Sequence, residues 1–302
     1  MVSFLVVGEG FPAFNVLNFL LSKSNARVAG YVAGSHASVK AIELAKCRNV
    51  ELLDPAILTG AAFFPSVADA DWLININGVT LISKEVIARF PMRALNMHPA
   101  LLPNYAGLHC HQWAIRNGER LHGATIHFMD SDIDAGPIIR QVRTAIQDED
   151  TGLSLFMRTM NIGAECLLYV LDDILKGTAL SCRSQDISQR RVYFHRHALD
   201  GTIDWSWPAE KLINFVRAAN YEPLASPTYQ PLWRSLNGDI IIKKLRRGEV
   251  ISSEAPGKIV DVCETGPVIS CGSGETVVIT KAFHMGKPVP PSDWNRFLIN
   301  AG

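Results

Sequence analysis

The chain opens by alternating short apolar runs with amphipathic stretches. SFLVVG (3–8) is an apolar run closed by glycine, the pattern of a strand buried on both faces of a parallel sheet. FPAFNVLNFLLSK (11–23) then puts Phe14, Val16, Leu17, Phe19, Leu20 and Leu21 on one broad helical face. VAGYVA (28–33) predicts a second strand and ASVKAIELAKCRN (37–49) a second helix. WLININ (72–77) and ALNMH (94–98) predict a third and a fourth strand. This β-α-β-α alternation predicts an α/β fold, a Rossmann-like, mostly parallel open sheet with helices on both faces. GATIHFMD (123–130) and PIIRQVRTAI (137–146) are further extended runs, joined by the acidic turn SDIDAG. Thr151 is a candidate N-cap for a long helix over 152–176, with Leu155, Phe156, Met160, Leu167, Leu168, Leu171 and Leu175 on its apolar face and Gly177 as its stop.

Past this helix the pattern turns polar, through SCRSQDISQRRVYFHRHALDGTID, and reads as a connection. WPAEKLINFVRAAN then predicts a helix with Pro208 in its first turn. DIIIKKL, GKIVDV and GPVISCGSGETVVIT follow as short strands, with CGSGE as a hairpin turn. Several short strands in about 90 residues suggest a small, mainly-β, OB-like domain. The expected division is 1–188 for an α/β domain, 189–206 for a linker and 207–302 for a β-rich domain. That second domain is expected to pack on the first or to form a subunit contact, burying Trp205 and Trp207; a homodimer stays open.

Composition narrows the classes. Of 302 residues 48% are hydrophobic and 19% charged, enough for a sizeable core. Lys plus Arg equals Asp plus Glu, at 29 each, which disfavours a nucleic-acid partner because phosphate neutralisation needs a basic surface. Six cysteines without a CxxC spacing read as free thiols of a cytoplasmic protein. The N-terminus lacks a basic, signal-like start, and no apolar stretch approaches the ~20 residues that span a bilayer.

LNMHPALLPNYAGLHCH (95–111) carries the candidate chemistry. Asn96 and His98 end a predicted strand, where ligands of open α/β sheets bind. Asp134, in the SDIDAG turn, would complete an amide–imidazole–carboxylate set fit for acyl transfer. An amide donates to an oxyanion, an imidazole carries a proton, and a carboxylate orients the imidazole. Each also has a plain structural explanation, as a loop contact or a turn former, and spacing alone does not bring 134 to 98. Asp130, Asp132 and Asp134 alternate like the start of a calcium loop. Ala135 and Gln141 then stand where that loop needs glycine and glutamate, so no metal is expected. GEGFPA (8–13) matches the dinucleotide fingerprint in part, but no acidic residue ends the second strand, which disfavours a dehydrogenase. Neither a hydrolase G-x-S-x-G nor a Walker loop is present.

NMHPALLPNYAG followed by MDSDIDAGPII resembles the folate-dependent formyltransferase family. EDTGLSLFMRTM, DGTIDWSWPAEKLINFVRA and PGKIVDV…ISCGSGE extend the resemblance over nearly the whole chain. The resemblance implies N10-formyltetrahydrofolate as formyl donor and catalytic roles for Asn96, His98 and Asp134. It further implies a pterin pocket from the 77–83 loop and the aspartate turn, with Gly78, Leu81, Ile82, Asp132 and Ile133 as candidates. It needs no metal.

Members include methionyl-tRNA formyltransferases and sugar N-formyltransferases. The former carry a basic insertion after the second strand, where this chain has the short, nearly uncharged VAGSHASVKAIELA, and an arginine after LLP, where it has Ala106. The expected partner is therefore a small-molecule amine, such as an amino-sugar nucleotide, an amino-acid derivative or a natural-product intermediate. Tyr105, His109 and His111 are candidates to face it. The alternatives are a methionyl-tRNA acceptor and a catalytically dead folate binder.

Overall fold

A seven-stranded sheet organises the first half of the chain. The computed structural model describes residues 1–34, 36–60, 69–78, 80–235 and 238–294. Val79, in the expected pterin loop, lies outside them. Two compact units result: 1–107, 121–144 and 157–192 form the first, and 108–120, 145–156 and 193–302 the second.

The sheet runs β3-β2-β1-β4-β5-β6-β7, from β1 (Val2–Gly8), β2 (Ala26–Ala33), β3 (Leu52–Leu53), β4 (Trp72–Ile76), β5 (Ala94–His98), β6 (Leu121–Phe128) and β7 (Ile138–Ala145). β1 to β5 pair in parallel, and β6 joins β5 antiparallel. Phe4, Leu5 and Val6 of β1 are fully buried, as the unbroken apolar run requires of a central parallel strand. Helix α1 (Gly10–Leu21) buries Ala13, Val16, Leu17 and Leu20, the spacing of one helical face. Helix α2 (Val39–Cys47) and the single turn α3 (Lys84–Ile87) follow, and α4 (Cys110–Arg116) leads into β6. The expected long helix is α5 (Gly152–Leu175). Thr151 Oγ1 accepts from Ser154 N at 3.1 Å at its start, and Gly177 takes the left-handed conformation beyond its end.

The sequence reading overlooked α4, α3 and β3. The last two are four and two residues long, too short for a period to show. In CHQWAIR the buried face of α4 includes His111 and Gln112, which hides its apolar stripe.

In the second unit α6 (Ala209–Ala218) is followed by an antiparallel sheet of β8 (Leu232–Ser235), β9 (Gly238–Arg247), β10 (Ile259–Cys263), β11 (Gly266–Ser270), β12 (Thr276–His284) and β13 (Lys287–Pro288). The region is β-rich, as expected. β11 and β12 form the hairpin whose turn contains CGSGE. Trp205, Phe215, Tyr229, Ile240, Ile279 and Trp294 share its core, with Trp207 packed against them.

Candidate active site

Strand register builds the site. Asn75 of β4 pairs with Asn96 of β5, which pairs with His127 of β6. Paired positions share a sheet face, so three polar side chains form one row across three strands. Asn75 Nδ2 donates to Asn96 Oδ1 at 3.0 Å, which fixes the Asn96 amide with its nitrogen toward β6. That nitrogen lies 3.1 Å from His127 Nε2 and 3.2 Å from Asp134 Oδ1. His127 Nδ1 faces Phe128 O at 2.8 Å, so it carries a proton, while Nε2 faces both the Asn96 amide and, at 3.6 Å, Asp134 Oδ1.

His98 stands two residues beyond Asn96, on the same face. Its Nε2 lies 2.8 Å from Tyr105 O, and its Nδ1 3.4 Å from Asp134 Oδ2. Both ring nitrogens face acceptors, which favours the doubly protonated imidazolium beside the Asp134 carboxylate. Gly107 N also donates to Asp134 Oδ2, at 2.8 Å. Burial works to raise the Asp134 pKa. The His98 charge, the contact with His127 and the Gly107 N–H outweigh it and hold the carboxyl well below the usual range. Asp134 takes φ 52, a left-handed conformation that costs a non-glycine residue on the order of 1–3 kcal/mol. Gly136 follows two residues on; a Cβ there would lie 1.9 Å from Phe128 O.

The loop from Pro99 to Gly107 is tied to β6 and β7. Thr125 Oγ1 donates to Ala100 O at 2.6 Å and accepts from Leu102 N at 3.1 Å. Gln141 Nε2 reaches Leu102 O and Thr125 Oγ1, each at 2.9 Å. His122 is buried beside His98; burial first, then the His98 charge, push its imidazole down to about 4, so it is neutral at neutral pH.

The three expected catalytic residues thus meet. The expected pterin residues divide. Gly78 sits against Asn75, and a Cβ on it would lie 2.3 Å from Asn75 Oδ1. Ile82 is buried in one apolar cluster with Leu58, Leu73 and Phe90, and Met129, just before the aspartate turn, packs against the same cluster. Leu81 and Ile133 are exposed apolar side chains, at 72% and 43%, and Asp132 is exposed. Of the expected acceptor residues, Tyr105 offers His98 its carbonyl and turns its ring edge-on to His122. His109 and His111 belong to the second unit. His109 Nε2 lies 2.9 Å from His195 Nδ1, and burial together with His195 pushes it down to about 4. His111 is buried on Tyr221 and Phe156, as a core histidine would be. Among the described residues no group of three or more His, Cys, Asp or Glu is placed to hold a metal. A cavity of about 510 Å³ lies elsewhere in the first unit, lined by Val2, Asp71, Trp72, Met92 and Arg93, and no site residue lines it.

Sequence reasoning overlooked Asn75 and His127. The signal was there: each is a polar residue flanked on both sides by apolar ones inside a strand, Asn75 by Ile74 and Ile76, His127 by Ile126 and Phe128. Buried strands admit such residues only with partners.

A family profile described as formyl transferase matches residues 15–171, and one described as formyl transferase, C-terminal domain, matches 197–298. The methionyl-tRNA formyltransferase of Roseiflexus castenholzii is 30% identical over 308 residues, covering 98% of this chain and 96% of that protein. That of Akkermansia muciniphila is 36% identical over 201 residues, 66% of this chain and 62% of that protein. Among solved structures, a sugar 3N-formyltransferase with dTDP and 5-N-formyl-tetrahydrofolate superposes with TM-score 0.70 at 17% identity, covering 92% of this chain and 97% of that one. An N-formyltransferase from Helicobacter canadensis with folinic acid and dTDP-3-aminofucose gives 0.68 at 17%, covering 92% and 99%. The two profile matches and the near full-length relative establish that the chain belongs to the formyl transferase family.

Proposed function

We propose that the protein moves a formyl group from N10-formyltetrahydrofolate to a primary amine of a small molecule. The observation that carries the reading is the convergence of Asn96 and His98 on the Asp134 carboxylate, one on each oxygen, at 3.2 and 3.4 Å. The neighbourhood also suits a folate. Asn75 Oδ1 is a buried acceptor with no partner among the described residues, beside the space that a Cβ on Gly78 would fill. A pterin edge is rich in N–H donors. Leu81 and Ile133 offer exposed apolar contact, Asp132 a further acceptor and Ile82 the packed base of the loop.

The donor supplies an activated formyl carbonyl; the chain supplies its polarisation and the proton traffic. Asn96 Nδ2 and a protonated His98 are the groups to stabilise the oxyanion as the amine attacks. Asp134 keeps His98 protonated; His98 gives a proton to the departing folate nitrogen and, once neutral, takes one from the attacking nitrogen. Tyr105 is the proposed contact of the acceptor within the first unit. His111, buried on Tyr221, is better suited to holding α4.

A methionyl-tRNA acceptor is the second reading, favoured by the names of the relatives at 30–36% identity. Against it stand the balanced charge, the short, nearly uncharged stretch after β2 and Ala106. The test is tetrahydrofolate release from N10-formyltetrahydrofolate with mass spectrometry of each acceptor. The panel holds amino-deoxy-sugar nucleotides, amino-acid derivatives and methionyl-tRNA. A formylated small molecule is expected; formylation of the tRNA alone would sink the small-amine reading.

A further inference from the structure

Residues 172–196 fall between the two matched family regions. Within them, 183–191 runs back across the first unit and grips the catalytic turn. Arg183 exchanges backbone hydrogen bonds with Ile138 of β7, at 2.8 and 2.9 Å. Gln185 Nε2 then donates to two carbonyls of the turn, Asp134 O at 2.9 Å and Gly136 O at 2.7 Å. Both facing atoms are acceptors, so the NH₂ end of the amide must point there. Gln185 Oε1 is buried with no partner among the described residues, so the side chain serves the turn through its donors alone. Asp186 caps a single 3-10 turn over Ile187–Gln189, and Arg190 Nη2 donates to Ile133 O. Arg191 O finally accepts from Ala106 N at 3.0 Å.

One short segment therefore holds both chain stretches that converge on His98: the Asp134 turn and the Tyr105–Gly107 loop. The turn has little of its own to hold it. Its internal backbone bond, Ala135 N to Asp132 O, is long at 3.3 Å, and Asp134 is in the left-handed region.

We infer that residues 183–191 are a positioning strap for the active site. Gln185 holds the Asp134 backbone so that its carboxylate meets His98 and the Gly107 N–H, and Arg190 holds Ile133 on the donor side. The consequence for turnover and donor binding rests on the formyltransferase reading; the strap itself does not.

The test is hydrogen exchange of the Gly107 amide, whose acceptor is Asp134 Oδ2, with calorimetry of folinic acid binding and melting as a fold control. Gln185→Met should speed Gly107 exchange about ten- to a hundred-fold, the loss of a charge-assisted hydrogen bond, with the melting temperature nearly unchanged. Gln185→Glu has the same shape but turns oxygens on two carbonyls, and should do at least as much. Gln185→Lys restores a donor and should recover protection. Arg190→Met should weaken folinic acid binding about ten-fold, as for one lost charged hydrogen bond, while Gln185→Met leaves it close to wild type. Unchanged Gly107 exchange in the Met and Glu variants would overturn the strap, and so would equal exchange in the Met and Lys variants. Failure of the wild-type protein to bind folinic acid would count against the folate reading, while the exchange data would still decide the strap.

Discussion

One sheet face of the first unit and the main core of the second bury opposite kinds of side chain. On one sheet face the first unit buries Asn75, His98 and His127, with the Asp134 side chain nearly enclosed above them. The second buries Trp205, Phe215, Tyr229 and Trp294 in one apolar cluster. Buried polar groups contribute little net stability and leave large penalties when a partner is lost; buried aromatics contribute area directly. The first arrangement suits chemistry and the second suits cohesion. Variants in the two regions should therefore fail in different ways. The largest effect is expected from Phe215→Ala. Phe215 stacks on Tyr229 at 4.6 Å and meets Trp207 edge-on at 5.3 Å. Its loss should cost about 3–5 kcal/mol in denaturant unfolding. A cost below about 1 kcal/mol would show that this core yields freely, and the contrast between the units would collapse.

The site variants come next. Asn96→Ala, His98→Ala and Asp134→Ala should each lower turnover about a hundred- to a thousand-fold, or roughly 3–4 kcal/mol of barrier, with far-UV circular dichroism retained. Near wild-type turnover in any one of them would remove that residue from the mechanism.

The same contrast explains what could be read in the sequence. The parallel sheet was legible because β1, β2, β4 and β5 are short, mostly apolar runs alternating with helical patterns, and α5 because its apolar face spans 24 residues. Asn96 and His98 were legible as polar residues at a strand end. Asp134 was legible as a candidate carboxylate in a turn between strands, and the family resemblance joined it to the other two, since no local spacing dictates that a turn 36 residues on should fold over His98. Asn75 and His127 were missed because their meaning lies in register, a property of three strands at once. Gln185 and Arg190 were missed because a polar, aperiodic segment reads as connection whether or not it is hydrogen-bonded. Among the acceptor candidates, the imidazole at 111, close in sequence to Asn96 and His98, is buried against Tyr221 and Phe156.

A pH titration probes both units together. His122 in the first and His109 in the second are each pushed down to about 4 from an ordinary 6.5, by burial first and then by a neighbouring histidine. A base with a depressed folded pKa binds fewer protons in the native state. The stability it confers is complete above about pH 6.5 and is lost as pH falls toward 4. At about 1.4 kcal/mol per unit, the better buried His122 should account for a loss on the order of 2–3 kcal/mol across that window. Unfolding free energies of wild type and His122→Gln, measured from pH 7 to pH 4, should therefore converge as the pH falls. Parallel curves would mean that His122 takes up its proton equally in the folded and unfolded chain, and the depression assigned to burial beside His98 would be wrong.

The smallest effect separates two arginines of the second unit that contact the same segment. Arg217 Nη1 donates to the carbonyls of Gln147, Asp148 and Asp150, at 2.8, 3.2 and 3.1 Å, and Arg217 Nε donates to Asn214 Oδ1. Arg120 pairs with Asp148 at 2.8 Å and Glu210 at 3.5 Å, but its side chain is 70% exposed. A guanidinium bonded to fixed carbonyls resists both water and salt, whereas an exposed ion pair trades one solvated state for another. Arg217→Ala should cost about 1.5–3 kcal/mol and be indifferent to salt. Arg120→Ala should cost less than about 1 kcal/mol and lose even that at high ionic strength. Equal costs for the two, unchanged by salt, would show that Arg120 is held as firmly as Arg217. The 145–156 segment would then be fixed by its charges and not by its backbone carbonyls.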